Sequence, residues 1–240
     1  MVVRTVIERG PKGRKCAAVA LDWPGWSRGA KEPQVAFETL AAYRDRYRPV
    51  ARLAGLEDEF DRSGELEIVE DHVGPGSTDF WGISFAPAST ERQLMASDEL
   101  ERKLTLLQAA WRYFDEVAAR VSPELRRGPR GGGRDRDGII AHLFVNEGED
   151  FSKRIGARTP AEVILTPQGL RAHRETYLAA IRERNAREWK VGQNWTLPFL
   201  IRHTAFHVLD HAWEMEDRDL SSEDQSPAAS ESARGSAPAS

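Results

Sequence analysis

The stretch SDELERKLTLLQAAWRYFDEVAARV, residues 97–121, decides the fold class of the second half of this chain. Its apolar residues recur at a spacing of three and four, which places them on one face of an α-helix. They are Leu100, Leu104, Leu107, Trp111, Phe114, Ala118 and Val121. Asp98 and Glu101 have the spacing of a capping box at the helix start. The stretch therefore predicts a long helix with one face in a hydrophobic core.

Three further helices are predicted after this one. GIIAHLFVNEGEDFSKRIG, residues 138–156, predicts an amphipathic helix that ends near Gly156. The third helix is predicted to open at TPQG, with Thr166 as N-cap and Pro167 in the first helical position, and to run to about Trp189. The fourth is predicted to open near Thr196–Pro198. Because four amphipathic helices bury their apolar faces most economically against one another, residues 97–217 predict an all-α four-helix bundle.

The two flanking parts differ in composition from the helical part. Residues 1–90 alternate short stretches rich in Val and Ile with turns, and they include one helical run over residues 32–55, so they predict a small α+β domain. Residues 219–240 contain no large apolar residue after Leu220 and predict a disordered tail. Trp23 and Trp26 flank a Pro-Gly turn and either form an exposed contact surface or fold back onto the core.

Composition limits the classes of partner. The chain has 240 residues and a formal net charge of −4, and it contains no basic stripe interleaved with aromatic residues, so nucleic acid is not expected as a partner. A single cysteine, Cys16, excludes an internal disulfide and lies outside the predicted bundle, so it receives no catalytic role. The start of the chain lacks the apolar run of a signal peptide or membrane span. We therefore expect a cytoplasmic protein with no membrane partner, and a homodimer is left open.

Three of the six histidines lie in HTAFHVLDHAWEMEDR, residues 203–218, at intervals of four. On a helix, His203, His207 and His211 share one face, and an adjacent pair can direct two imidazole nitrogens at one metal ion. All three cannot do so, because the outer two are about 12 Å apart along the helix axis. Spacing alone leaves both adjacent pairs open. A third ligand must come from another helix, and His142 is the candidate because it faces the predicted interior.

Other polar residues near this pattern have two interpretations each. Asp210 and Glu214 either accept hydrogen bonds from the ligand imidazoles or belong to a solvated, charged face. His173 on the third helix is expected to be a buried or rim histidine, and His72 carries no pattern.

The position of His142 in IIAHLFVNEGEDFSKRIG and the later HVLDHAWEMEDR resemble the DinB/YfiT-like superfamily of four-helix bundles, over about residues 97–217. The resemblance implies a divalent metal, zinc or nickel, bound by His142, His207 and His211, with His203 as a neighbour. It also implies a thiol-dependent S-transferase that activates a low-molecular-weight thiol such as mycothiol or bacillithiol. Its substrate would be a small molecule and its role stress resistance or detoxification. The family's usual Arg-Gly-Gln type of continuation is replaced here by HVLDHAWEME, which leaves subfamily and substrate open.

The stretch ALDWPGWSRGAKEPQVAFETLAAY is similar to the strand, turn and helix of HicB-like α+β domains, which implies a partner-binding module. A structural add-on domain is the other interpretation. Two further function classes stay open: a non-enzymatic interaction protein that uses the α+β module, and a metal-dependent hydrolase. An interaction protein is expected to expose an apolar patch near Trp23 and Trp26. An enzyme is expected to have an open pocket around His142 and His207.

Overall fold

The computed structural model describes residues 2–128, 132–187 and 195–221. Its first part contains a four-stranded mixed sheet in the order β3-β2-β1-β4. The strands are β1 (Val3–Arg9), β2 (Cys16–Ala20), β3 (Ser27–Ala30) and β4 (Leu66–Val73). Neighbouring strands β1, β2 and β3 are antiparallel, whereas β4 runs parallel to β1 and forms one edge. The predicted α+β character of this part is confirmed.

Short helices connect and follow the strands. They are α1 (Pro33–Ala42), α2 (Arg44–Leu53), α3 (Glu57–Arg62) and α4 (Gly76–Trp81). The prediction of one helical run over residues 32–55 was wrong, because the chain breaks at Tyr43. The break lets α1 pack on β2 and β3 while α2 packs on the long helix α5 (Ser97–Arg120), which one straight helix could not do.

Trp23 and Trp26 belong to the core. Both are buried beside Tyr47 and Phe60, and the Trp26 ring stacks on Tyr47 at a centroid distance of 5.7 Å. The Trp26 indole N–H donates to the Leu40 carbonyl at 2.8 Å, so its polar atom is satisfied inside the core. Of the two interpretations of these residues, the exposed contact surface is therefore wrong.

The second part of the chain is helical, as predicted. After α5 it contains α6 (Arg136–Asn146), α7 (Ala161–Ile164), α8 (Pro167–Ala186) and α9 (Leu197–Asp217). Thr166 caps α8 by accepting a hydrogen bond from the Gly169 N–H at 3.0 Å, and Thr196 is the N-cap of α9. The predicted end of the third helix at Trp189 lies outside the described residues.

Two local details of the helical part differ from the predictions. The capping box at the start of α5 is not formed: the N-cap is Ala96, and Glu101 instead forms an ion pair with Arg182 of α8 at 2.7 Å. The second predicted helix does end at Gly156, which has a left-handed φ of 74°. Before that residue, however, α6 gives way to a π-helical turn, Glu147–Phe151, and a 3-10 turn, Ser152–Ile155.

The sheet and the helices contribute to one hydrophobic cluster, which includes Val3 and Ile7 of β1 as well as Leu104 of α5 and Val208 of α9. Helix α5 packs along α9, and α6 packs against α9. The division into a domain over residues 1–90 and another over 97–217 stays a prediction. Asp219, the first residue of the predicted tail, pairs with Leu125, and residues 222–240 lie outside the described residues.

A buried polar network connects β1 to α9. The Glu8 carboxylate accepts hydrogen bonds from the hydroxyls of Thr78 and Ser84 at 2.6 Å each, and from the N–H groups of Phe85 and Ala86 at 2.9 and 3.1 Å. Burial by itself would raise the pKa of Glu8, but these hydrogen bonds and the neighbouring His72 outweigh it and hold the pKa at about 2.

The α9 end of this network is an ion pair. Arg202 donates to both carboxylate oxygens of Glu91 at 2.6 and 2.8 Å and to the Ser84 hydroxyl at 3.0 Å, and both charged side chains are buried. The ion pair therefore fixes α9 to the segment that precedes α5.

Candidate metal centre

Helices α6 and α9 bring three histidines together. The ring centroids of His207 and His211 are 4.8 Å apart, and His142 lies 5.3 Å from the first and 5.1 Å from the second. One nitrogen of each residue lies within 4.8 Å of the nitrogens of the other two. Nitrogens on a tetrahedral zinc are about 3.4 Å apart, so side-chain shifts of about an ångström would complete such a site.

His211 is oriented by a carboxylate on its own helix. Its Nδ1 lies 2.9 Å from Glu214 Oε2, and the other oxygen of Glu214 accepts from Arg218 at 2.5 Å. The hydrogen bond with His211 holds the pKa of Glu214 below its usual value. Because Nδ1 is engaged, Nε2 of His211 is the nitrogen available to a ligand. Of the two interpretations of Glu214, the structure has the hydrogen bond with an imidazole.

His142 has a partner that the sequence analysis missed. The amide nitrogen of Asn146, one turn later on α6, lies 3.0 Å from His142 Nδ1 and donates to the His142 carbonyl at 2.7 Å. If His142 binds an ion through Nε2, its ring proton must move to Nδ1, and the amide of Asn146 must turn its oxygen toward that proton. The four-residue spacing of His142 and Asn146 is the signal that could have indicated this contact.

His207 lies between the other two imidazoles and the Phe151 ring, whose centroid is 5.4 Å away. Within the described residues, no protein group hydrogen-bonds its ring nitrogens. Burial and the neighbouring imidazoles lower the pKa of His207 well below its ordinary value. Burial also lowers the pKa of His142, and the nearby Arg134 guanidinium and His211 lower it further. Both rings are therefore uncharged at neutral pH, which is the form that binds metals.

His203 lies one turn before His207 in a different environment. Its Nδ1 is 3.1 Å from the Ser84 carbonyl oxygen, and burial lowers its pKa to about 3. Aromatic rings surround it, namely Phe85, Phe151, Trp195 and Phe199. His203 is outside the group of three nitrogens that converge.

The remaining polar residues that the sequence singled out lie elsewhere. Asp210 accepts a hydrogen bond from Arg28 at 2.7 Å, so the suggested contact with an imidazole is not formed. His173 is buried, with Nδ1 2.9 Å from the Thr159 hydroxyl, as expected for a histidine that is not a ligand. His72 on β4 lies 3.1 Å from Glu70 and 3.7 Å from Glu8.

Comparison of the chain with protein-family models, with curated proteins and with solved structures found no match. The fold and the site together define a protein with a small mixed sheet, a following helical part and a histidine cluster that could hold a metal ion. Among the described residues, no helix combines the length and apolar character needed to cross a bilayer.

Proposed function

We propose that this chain is a metal-dependent thiol S-transferase with a DinB/YfiT-like four-helix bundle formed by α5, α6, α8 and α9. His142, His207 and His211 would bind the ion. The observation that carries the proposal is the convergence of three imidazole nitrogens, from two helices, within 4.8 Å. Within the described residues no protein group hydrogen-bonds the ring nitrogens of the half-buried His207, so they are available to an ion.

The chemistry of the three donors favours particular metals. Imidazole suits zinc, nickel and copper, whereas magnesium and calcium require oxygen ligands. Of these, zinc or nickel is our proposed ion, because the family resemblance implies one of the two. Three protein ligands leave at least one coordination position open, which is typical of catalytic rather than structural sites.

An ion in this site would supply Lewis-acid chemistry, binding the sulfur of a low-molecular-weight thiol such as mycothiol or bacillithiol and favouring its deprotonation. During transfer the sulfur forms a bond to an electrophilic carbon, the leaving group departs with its bonding electron pair, and the thiol proton passes to solvent. The roles of the protein would be to orient His211 through Glu214 and His142 through Asn146, and to limit water at His207 through Phe151.

The chain's own thiol is not suited to this reaction. Cys16 lies on β2, is buried, and has its pKa raised by burial. A buried thiol with a raised pKa is a poor nucleophile at neutral pH, which favours an external thiol as the reactant. The same histidines would also serve a metal-dependent hydrolase with water in place of the thiol. The HicB-like interpretation of the first part stays a prediction.

The first experiment is elemental analysis of the purified protein and of His207→Ala. His72→Gln is the matched control, because it removes a histidine outside the cluster. We expect one equivalent of zinc or nickel in wild type and control, and its loss in His207→Ala. Full, equally tight metal binding by His207→Ala would contradict the proposed site.

The second experiment tests the reaction. Stripped and metal-reloaded protein would be mixed with mycothiol, bacillithiol or cysteine and with monochlorobimane, whose conjugate is fluorescent. We expect conjugation that requires both the metal and one of the thiols. Metal-dependent ester hydrolysis without thiol, together with no conjugation, would identify a hydrolase instead.

A further inference from the structure

One end of the sheet carries the most exposed apolar side chains. At this end β1 and β4 finish, β2 begins, and α4 follows. Val73, Phe80 and Trp81 are 66%, 67% and 64% exposed, the highest fractions among the large hydrophobic side chains of the described residues. The turn that joins β1 to β2 adds Lys12, Arg14 and Lys15. We call these six residues the sheet tip.

The sheet tip is held in one geometry by Asp79. This carboxylate is buried and accepts hydrogen bonds from the backbone N–H groups of Lys12 and Arg14, both at 2.7 Å, so it fastens the turn to α4. Lys15 Nζ donates to the Phe80 carbonyl at 2.7 Å. The rings of Phe80 and Trp81 are in edge-to-face contact at 4.6 Å. The two aromatic side chains are thus presented by a fixed backbone, which lowers the entropy cost of docking them.

The charge of the sheet tip is positive, although the whole chain carries −4. Asp79 accepts hydrogen bonds from backbone N–H groups and keeps its negative charge, but three cations outnumber it, and within the described residues the side chains of Lys12 and Arg14 form no ion pair. Two other acidic residues lie near this end: Asp71 of β4, which pairs with Arg9, and Glu32, just beyond β3. A local positive patch beside exposed aromatic rings fits an anionic partner.

We propose that the sheet tip docks on an anionic phospholipid surface, with Phe80 and Trp81 at the boundary of headgroups and acyl chains and the three cations against the headgroups. Side chains that are two-thirds exposed project from the protein rather than line a groove, so they suit a broad surface better than a peptide. Aromatic side chains favour the membrane interface. Such a peripheral contact requires no spanning helix, and it departs from our expectation of no membrane partner.

The test is co-sedimentation of the full chain with vesicles of phosphatidylcholine alone and of phosphatidylcholine mixed with phosphatidylglycerol. We expect binding to the mixed vesicles at low salt, little binding to neutral ones, and loss at high salt. The double variant Phe80→Ser with Trp81→Ser should bind about tenfold more weakly or worse. Lys12→Gln and Arg14→Gln should each weaken binding about fivefold. Leu165→Ser, which removes another exposed apolar side chain, should bind like wild type.

Quenching by brominated lipids gives a second readout, since it should be smaller in Trp81→Phe than in wild type. No binding by wild type, equal binding to neutral and anionic vesicles, or an equal loss in Leu165→Ser would overturn the proposal. If wild type ignores vesicles while the double variant abolishes self-association in sedimentation velocity, the sheet tip contacts a second copy instead. None of these outcomes depends on the metal site.

Discussion

Helix α9 carries two polar sites one turn apart, and they differ in how completely the protein satisfies them. In its first half, Arg202 and His203 face the network of Glu8, Ser84 and Glu91, where the Glu8 carboxylate alone receives hydrogen bonds from four groups. In its second half, His207 and His211 face His142, and the three imidazoles meet with few protein partners.

This difference separates a structural site from a candidate binding site. Buried polar atoms are nearly always paired, so a saturated network can fix the fold but has no capacity left for a ligand. Imidazole nitrogens that converge on each other cannot satisfy one another while all are acceptors. A cation between them resolves this, which is why we assign ligand binding to the second half of α9 only.

The largest effect should come from breaking the fully hydrogen-bonded network that faces the first half of α9. Replacing Arg202 by Leu leaves the Glu91 carboxylate buried without its partner, and we expect a loss of about 4 kcal/mol in the free energy of unfolding. Urea denaturation measures this loss. Metal content per folded molecule should stay unchanged. A variant that unfolds like wild type would show that the ion pair does not fix α9.

Removing single histidines of α9 and His142 of α6 should sharpen the contrast between the two halves of α9. We expect His142→Ala, His207→Ala and His211→Ala each to weaken metal binding by about 100-fold or more, because two ligands hold a divalent ion poorly. His203→Ala should bind metal almost normally. Its free energy of unfolding should fall, because the substitution removes a side chain that packs against several aromatic rings. Isothermal titration with zinc measures the affinities. Loss in His203→Ala with retention in His211→Ala would move the site one turn toward the start of α9.

Metal removal should destabilise the fold through the second half of α9. An ion present at about 100 times its dissociation constant stabilises the folded state by about 2.7 kcal/mol, because the unfolded chain has no assembled site. Chelation should therefore lower the melting temperature of wild type but not of His207→Ala, which scanning calorimetry would show. Equal melting of loaded and stripped wild type would mean that the ion does not fasten α6 to α9.

A smaller effect should distinguish two acidic residues of α9, Glu214 and Asp210. Glu214→Gln replaces the charged acceptor of His211 by a neutral amide oxygen and should weaken metal binding about tenfold. Asp210→Asn is the matched control, because Asp210 pairs with Arg28 and not with an imidazole. The same titration measures both variants. An equal loss in the two would indicate a general effect of charge.

The smallest effect should be a pH dependence at the edge of the saturated network. Contact with Glu8 raises the pKa of His72 above the ordinary value of 6.5. A raised folded-state pKa gives stability that is fully present below the unfolded value and is lost as the pH rises through the folded value. We expect a decrease of about 1 kcal/mol or less above pH 6.5 in wild type. Urea denaturation across this range should show no such slope for His72→Gln.

Several features could be predicted because they depend on nearby residues only. The apolar spacing from Leu100 to Val121 gave α5, and Thr166 before Pro167 gave the start of α8. Features that depend on distant partners could not be predicted. Glu101 pairs with Arg182 instead of capping its own helix, and the break at Tyr43 serves packing on two different surfaces.

The sequence by itself determined that His203, His207 and His211 share one face of a helix and that only an adjacent pair can hold one ion. Spacing could not choose between the two adjacent pairs, because the histidines of each pair are four residues apart on the same helix. Only the tertiary structure decides what packs opposite each pair. It places the Ser84 carbonyl and a set of aromatic rings against His203, and it places His142 of α6 against His207 and His211. The choice depends on long-range contacts, because His142 is more than 60 positions from His207 and Ser84 is more than 100 positions from His203. No local pattern encodes such contacts.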